Sequence, residues 1–159
     1  MEAQQEMSDP IHQLHVLHNN PFIFAPAFGN FYKVLGEKEN ALLLGYLVLP
    51  ITLHQPSRKF LNNANRRSSL RTMLKDRGNI YGLDERVALY REMTNTTIQY
   101  LLGTGSISVH SQVAVTVADN QTLNGPAPEG VIKAARRLGT LFEPYDVPTV
   151  FRMLGVMSL

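Results

Sequence analysis

Apolar residues recur at helical spacing over Phe24, Phe28, Phe31, Tyr32 and Leu35, the periodicity of a helix with one buried stripe. Asn20 and Pro21 stand just ahead of that stripe. A capping residue followed by proline at the first helical position predicts a helix from Pro21 to about Leu35, with Pro26 in its first turns. After the polar stretch Glu37 to Asn40 comes the run ALLLGYLVLPITL, Ala41 to Leu53. It is too uniform for periodicity to separate helix from strand, and is read as a buried helix broken near Pro50. It falls short of the roughly 20 apolar residues that span a bilayer. Ser57 is then expected to cap a short turn through Leu61.

Farther on, Ser68 or Ser69 is placed to cap a helix through Lys75, ended by Gly78. Asp84 is placed to cap another through Glu92. The run Thr94 to Thr97 brings β-branched residues that predict an interruption, after which Ile98, Leu101 and Leu102 bury a third helix stopped by Gly103 and Gly105. Ile107, Val109, Val113, Val115 and Val117 alternate with polar or small residues around Ser111-Gln112, the pattern of a two-stranded hairpin. Three short helices before a hairpin is the order of a winged helix, so the winged-helix-like part is expected at about residues 68–118. Beyond the Asn124 to Pro128 loop, Val131, Ala135, Leu138 and Phe142 share one helical face. Pro148 begins a last short helix burying Val150, Phe151 and Leu154, with Gly155 as its C-terminal cap.

These elements add up to a mostly α chain with a small β-hairpin (α+β), a single compact domain over residues 20–159 behind a loosely ordered N-terminal segment, residues 1–19. The length of 159 residues suits one domain. With 44% apolar and 18% charged residues the composition is globular, and a charged fraction below the usual ~25% leaves apolar surface for partners. Cysteine is absent, which excludes disulfides and thiolate metal sites. The opening residues MEAQQEMSDP are acidic and polar, unlike a signal peptide. A cytoplasmic protein with no membrane partner is expected.

Net charge is only +2, but it is unevenly placed. No acidic residue stands between Glu39 and Asp76, where Arg58, Lys59, Arg66, Arg67, Arg71 and Lys75 collect, with Arg77 just beyond. A one-sided block repels itself on folding, so it is expected to face water or an acidic partner. On a helix starting after Ser69, Arg71 and Lys75 are four apart and share a face. They suit phosphates or the acidic flank of a coiled coil; a merely solvated face is the plainer alternative.

The chain offers little chemistry. His12, His15 and His18 recur every third residue without a further metal ligand nearby in sequence. The stretch Gly103 to Ser108 lacks the third glycine of a dinucleotide loop and reads as a helix-to-strand turn. There is no GxxxxGK[ST] phosphate loop and no GxSxG elbow. Asp84-Glu85 reads as a cap and first-turn pair. No catalytic residue, cofactor site or metal ligand is therefore assigned, and a non-enzyme is expected. Base-specific reading of DNA would rest on an Ile98-centred helix with only Asn95 and Gln99 as base-contacting side chains.

Three stretches, LGYLVLPITLHQPSRKFL, SSLRTMLKDRG and RRLGTLFEPYDVPTVFRMLGV, resemble the middle component of bacterial three-component ABC (ABC-3C) systems. The resemblance implies a small non-catalytic adaptor subunit. Its partners would be a coiled-coil ABC ATPase similar to structural-maintenance-of-chromosomes (SMC) proteins and an effector such as a nuclease. It also implies a Lamassu-like role in defence against phages and plasmids, with double-stranded DNA met through the complex. The competing reading is a winged-helix-type module making non-specific phosphate contacts with DNA.

Overall fold

The computed structural model describes residues 20–118, 127 and 130–159. Helix α1 spans Pro21–Leu35, and Asn20 caps it as expected: its side chain accepts from the Phe22 N–H at 3.0 Å. Pro26 lies inside α1, and the Asn30 side-chain amide donates to the Pro26 carbonyl at 2.7 Å. The stripe read from the sequence is the buried face, since Phe24, Phe28, Phe31, Tyr32 and Leu35 are all in the core.

The apolar run folds as a 3₁₀ helix over Ala41–Leu47 continuing into α2, Val48–Thr52. The helix breaks after Thr52, two residues past Pro50, and the next begins at Gln55. Proline is third in α2, near its start, where the penalty is lower than deep in a helix. Helix α3 is Gln55–Asn62, and Ser57 is a buried residue within it rather than its cap. Helix α4, Leu70–Lys75, begins with a reciprocal cap in which Ser69 and Thr72 exchange side-chain and backbone hydrogen bonds. It stops at Asp76, ahead of Gly78, because the Asp76 carboxylate caps a 3₁₀ turn over Arg77–Asn79 instead.

Helix α5 runs unbroken over Leu83–Gly103, so the two short helices expected around Thr94 to Thr97 are one. The β-branched cost is overridden by packing. Thr94 and Thr97 are fully buried, and the Thr96 and Thr97 hydroxyls bond back to the Glu92 and Met93 carbonyls. Gly82 caps α5 in a left-handed conformation, leaving Asp84 and Glu85 in the first turn, where they complement the helix dipole. Within residues 68–118 the hairpin is thus preceded by one short and one long helix rather than by three short ones.

Strands β1, Ile107–Val109, and β2, Val115–Val117, pair antiparallel with Ile107 opposite Val117 and Val109 opposite Val115. Val113 belongs to the turn and not to a strand: it and Gln112 have φ of 58° and 61°. Helix α6 is Val131–Phe142 and α7 is Val147–Leu154, which ends at Gly155 as the spacing predicts and is capped by Asp146, a cap the sequence reading did not name. Leu102 and Phe151 are exceptions to the expected burial, the first exposed and the second half-buried.

The core lies where α1 crosses α6, with α5 against the other flank of α1. Gly139 makes the crossing close, since a methyl group on it would stand 2.8 Å from the Phe31 carbonyl oxygen. Phe31 and Phe142 meet edge to face across it at 6.0 Å. Among the described residues no helix is long and apolar enough to cross a membrane.

Candidate functional site

Helices α3 and α4 and the turns beside them carry the whole basic block, but its seven members do not share one role. Arg58 is a structural residue. Its guanidinium donates to the Thr52 and Leu53 carbonyls at 3.1 and 3.2 Å, closing the C-terminal end of α2, where carbonyls lack intrahelical donors. The other six, Lys59, Arg66, Arg67, Arg71, Lys75 and Arg77, are exposed. Lys59 stands on α3, Arg71 and Lys75 on α4 one turn apart, and the remaining three in the flanking turns. Among the described residues none of these six side chains has a hydrogen-bond or ion-pair partner, so their charge faces outward.

A groove of about 560 Å³ opens between α3 and the segment from α4 to Asn79. Lys59 and Lys75 line it, with Pro56 and Phe60 as its apolar part and Asn63 and Asp76 as polar lining. Its wall is held rigidly from behind. Buried Asn79 donates its side-chain amide to the Met73 carbonyl at 2.9 Å, tying the 3₁₀ turn to α4. The Ser57 hydroxyl donates to the Asn79 carbonyl, tying the same turn to α3. Because that hydroxyl proton is engaged, Ser57 receives rather than gives a hydrogen bond at His54 Nδ1, 2.8 Å away. His54 is then the Nδ1–H tautomer.

A serine within hydrogen-bond reach of a histidine is also the geometry of an activated nucleophile. Here the roles are reversed. The hydroxyl points at a backbone carbonyl, the imidazole donates to it, and Ser57 is fully buried. Partial burial, then the Arg86 and Arg58 guanidiniums, hold the His54 pKa below its ordinary value and keep the ring neutral. Arg86 Nε donates to the Pro50 carbonyl at 2.9 Å and its Nη1 to Tyr81, joining α2 to the start of α5, while its Nη2 is buried without a partner.

The remaining sequence candidates lie apart from the basic face. Asn95 is not available to read a base, because its side-chain oxygen accepts from the Tyr46 hydroxyl; Gln99 is exposed on α5, and Ile98 is buried. Gly103 to Ser108 is a helix-to-strand turn, with the Ser106 N–H bonded to the Leu101 carbonyl at 2.9 Å. His12, His15 and His18 lie outside the described residues, as does most of the Asn124 to Pro128 loop. Among the described residues no three His, Cys, Asp or Glu side chains gather as metal ligands.

Sequence reasoning did not find the polar residues that fix the scaffold. Lys38 is the clearest: its ammonium donates to the Phe142, Glu143 and Tyr145 carbonyls at 3.2, 2.7 and 2.8 Å, closing the end of α6. Burial lowers its pKa, against the opposing pull of Glu143 and Asp146. No local pattern announces a contact across more than a hundred residues.

Comparison with known proteins adds one finding. The family described as MC3, ABC-three component (ABC-3C) system Middle Component 3, matches residues 8–158. No curated protein and no solved structure matches.

Proposed function

The chain belongs to the ABC-three component system middle component 3 family, and from that premise we propose that it is a non-catalytic adaptor subunit of such a system. It links a coiled-coil SMC-like ABC ATPase to an effector in a cytoplasmic complex that defends bacteria against phages and plasmids. The observation that carries this reading is how the polar side chains are used. Ser57, His54, Arg58 and Arg86 are bound into the scaffold, while six exposed cations on α3, α4 and the turns beside them have no partners among the described residues. A face of that kind binds. It has no nucleophile, base and orienting group with which to react.

Co-expression with the other components of the system tests the proposal: the chain is expected to co-purify with them, and by itself to show no nuclease, ATPase or hydrolase turnover. Recovery of the chain alone from that co-expression would overturn it. One observation favours a second reading, direct contact with duplex DNA, because the outward cations suit phosphates as well as carboxylates. On that reading, replacing Arg66, Arg67, Arg71 and Lys75 lowers the slope of log K against log salt by about 0.9 per lost phosphate contact, alike on unrelated sequences. On the adaptor reading DNA affinity is unchanged and component binding falls.

A further inference from the structure

We propose that the groove between α3 and α4 is the seat for an acidic, partly apolar segment of another component of the system, gripped by Lys59 and Lys75. The inference rests on the adaptor reading and narrows it from a face to a slot. Lys59 on α3 and Lys75 on α4 line the groove together, so two elements rather than one present cations to the same space. Phe60 is only half-buried, and with Pro56 it gives the groove apolar lining beneath those charges. The single carboxylate in the lining, Asp76, has one oxygen engaged by the Gly78 N–H at 2.9 Å, and the two lysines outnumber it. Arg71 continues the positive face one turn back along α4, and Arg77 follows just after it.

This combination fits protein better than nucleic acid. A duplex backbone presents phosphates along an edge and nothing to fill a concavity carrying phenylalanine and proline. A peptide segment brings carboxylates to the lysines and an apolar side chain to Phe60. The walls of the groove are also joined by hydrogen bonds. Asn79 and Ser57 fix one wall to the other through the Met73 and Asn79 carbonyls, so little ordering accompanies binding. Arg66 and Arg67 lie in the turn between α3 and α4 and do not line the slot.

The test compares two charge reversals in the full chain co-expressed with the other components. Lys59→Glu with Lys75→Glu strikes the groove; Arg66→Glu with Arg67→Glu changes net charge equally outside it. Both pairs are exposed, and thermal melting of each variant checks that folding is intact. Lys59→Arg with Lys75→Arg keeps the charge and checks that it is charge that acts. The expected result is that the groove reversal lowers component recovery at least about tenfold, the turn reversal by less than about threefold, and the arginine pair restores binding. Equal losses from the two reversals, or full recovery after the groove reversal, would overturn the slot while leaving the adaptor standing. Absence of any captured component with the unaltered chain would instead remove the adaptor reading beneath it. Loss of binding to a plain DNA duplex on groove reversal, with component recovery unchanged, would assign the groove to phosphate and overturn the proposal.

Discussion

Replacing Gly139 by alanine addresses the tightest point of the core. The added Cβ would lie 2.8 Å from the Phe31 carbonyl oxygen, 3.3 Å from the Leu35 nitrogen and 3.3 Å from the Val34 Cβ. Two of these three neighbours are backbone atoms of α1, so no side chain can swing away and the helices must separate. Overpacking of this kind costs typically about 1–3 kcal/mol, and the crossing it disturbs is the most extensive contact in the fold. Against this, alanine is favoured over glycine within a helix by about 0.8–1 kcal/mol. The net expectation is a loss of up to about 2 kcal/mol relative to the parent, and of about 1–3 kcal/mol relative to an unhindered Gly→Ala change. Urea unfolding followed by circular dichroism measures it. With a slope near 2 kcal/mol per M, the midpoint falls by up to about 1 M from the parent and lies about 0.5–1.5 M below that of an unhindered Gly→Ala change. Gly103→Ala is the matched control, since it ends α5 with no atom within 4 Å of the new methyl, and there the propensity gain acts alone. A Gly139→Ala protein stabilised as much as Gly103→Ala would refute the close crossing.

Three further outcomes follow from the geometry. Lys38→Ala leaves three carbonyls at the end of α6 without their shared donor, and is expected to lower stability by roughly 1–2 kcal/mol in the same unfolding assay, with Lys38→Arg losing less. His54 has a folded pKa below its unfolded value near 6.5, so the unfolded chain binds the proton more readily; its contribution to stability is complete above about pH 6.5 and is lost as pH falls below it. Denaturation midpoints at pH 7.5 and 5.5 should differ less in His54→Gln than in the parent. Phe142→Ala removes a fully buried ring and is expected to cost about 3–5 kcal/mol, whereas Phe151→Ala, at a half-buried site, falls below that range.

Much of the architecture was legible because its signals are local. Asn20 with Pro21, Ser69 and Gly155 each cap the helix their chemistry suits, and the alternating valines form the hairpin they announce. What escaped was set by distant packing. Thr94 to Thr97 read as a break, yet burial and back-bonded hydroxyls carry α5 through them. Ser57 read as a cap because nothing in sequence places the Asn79 carbonyl beside it. The site shows the same division. Charge clustering located the basic face, but only the folded chain separates Arg58, bound to the end of α2, from the six cations left outward. The groove itself could not be read, since its sides come from α3 and from the segment beginning at α4, whose spacing depends on buried Asn79.

Hydrogen–deuterium exchange of the chain, alone and within the assembled ABC-3C complex, reports where the other components sit on it. New protection is expected to concentrate in residues 55–79, across α3, the turn holding Arg66 and Arg67, and α4. Protection confined to the hairpin or to α7, with residues 55–79 exchanging as they do in the free chain, would contradict it.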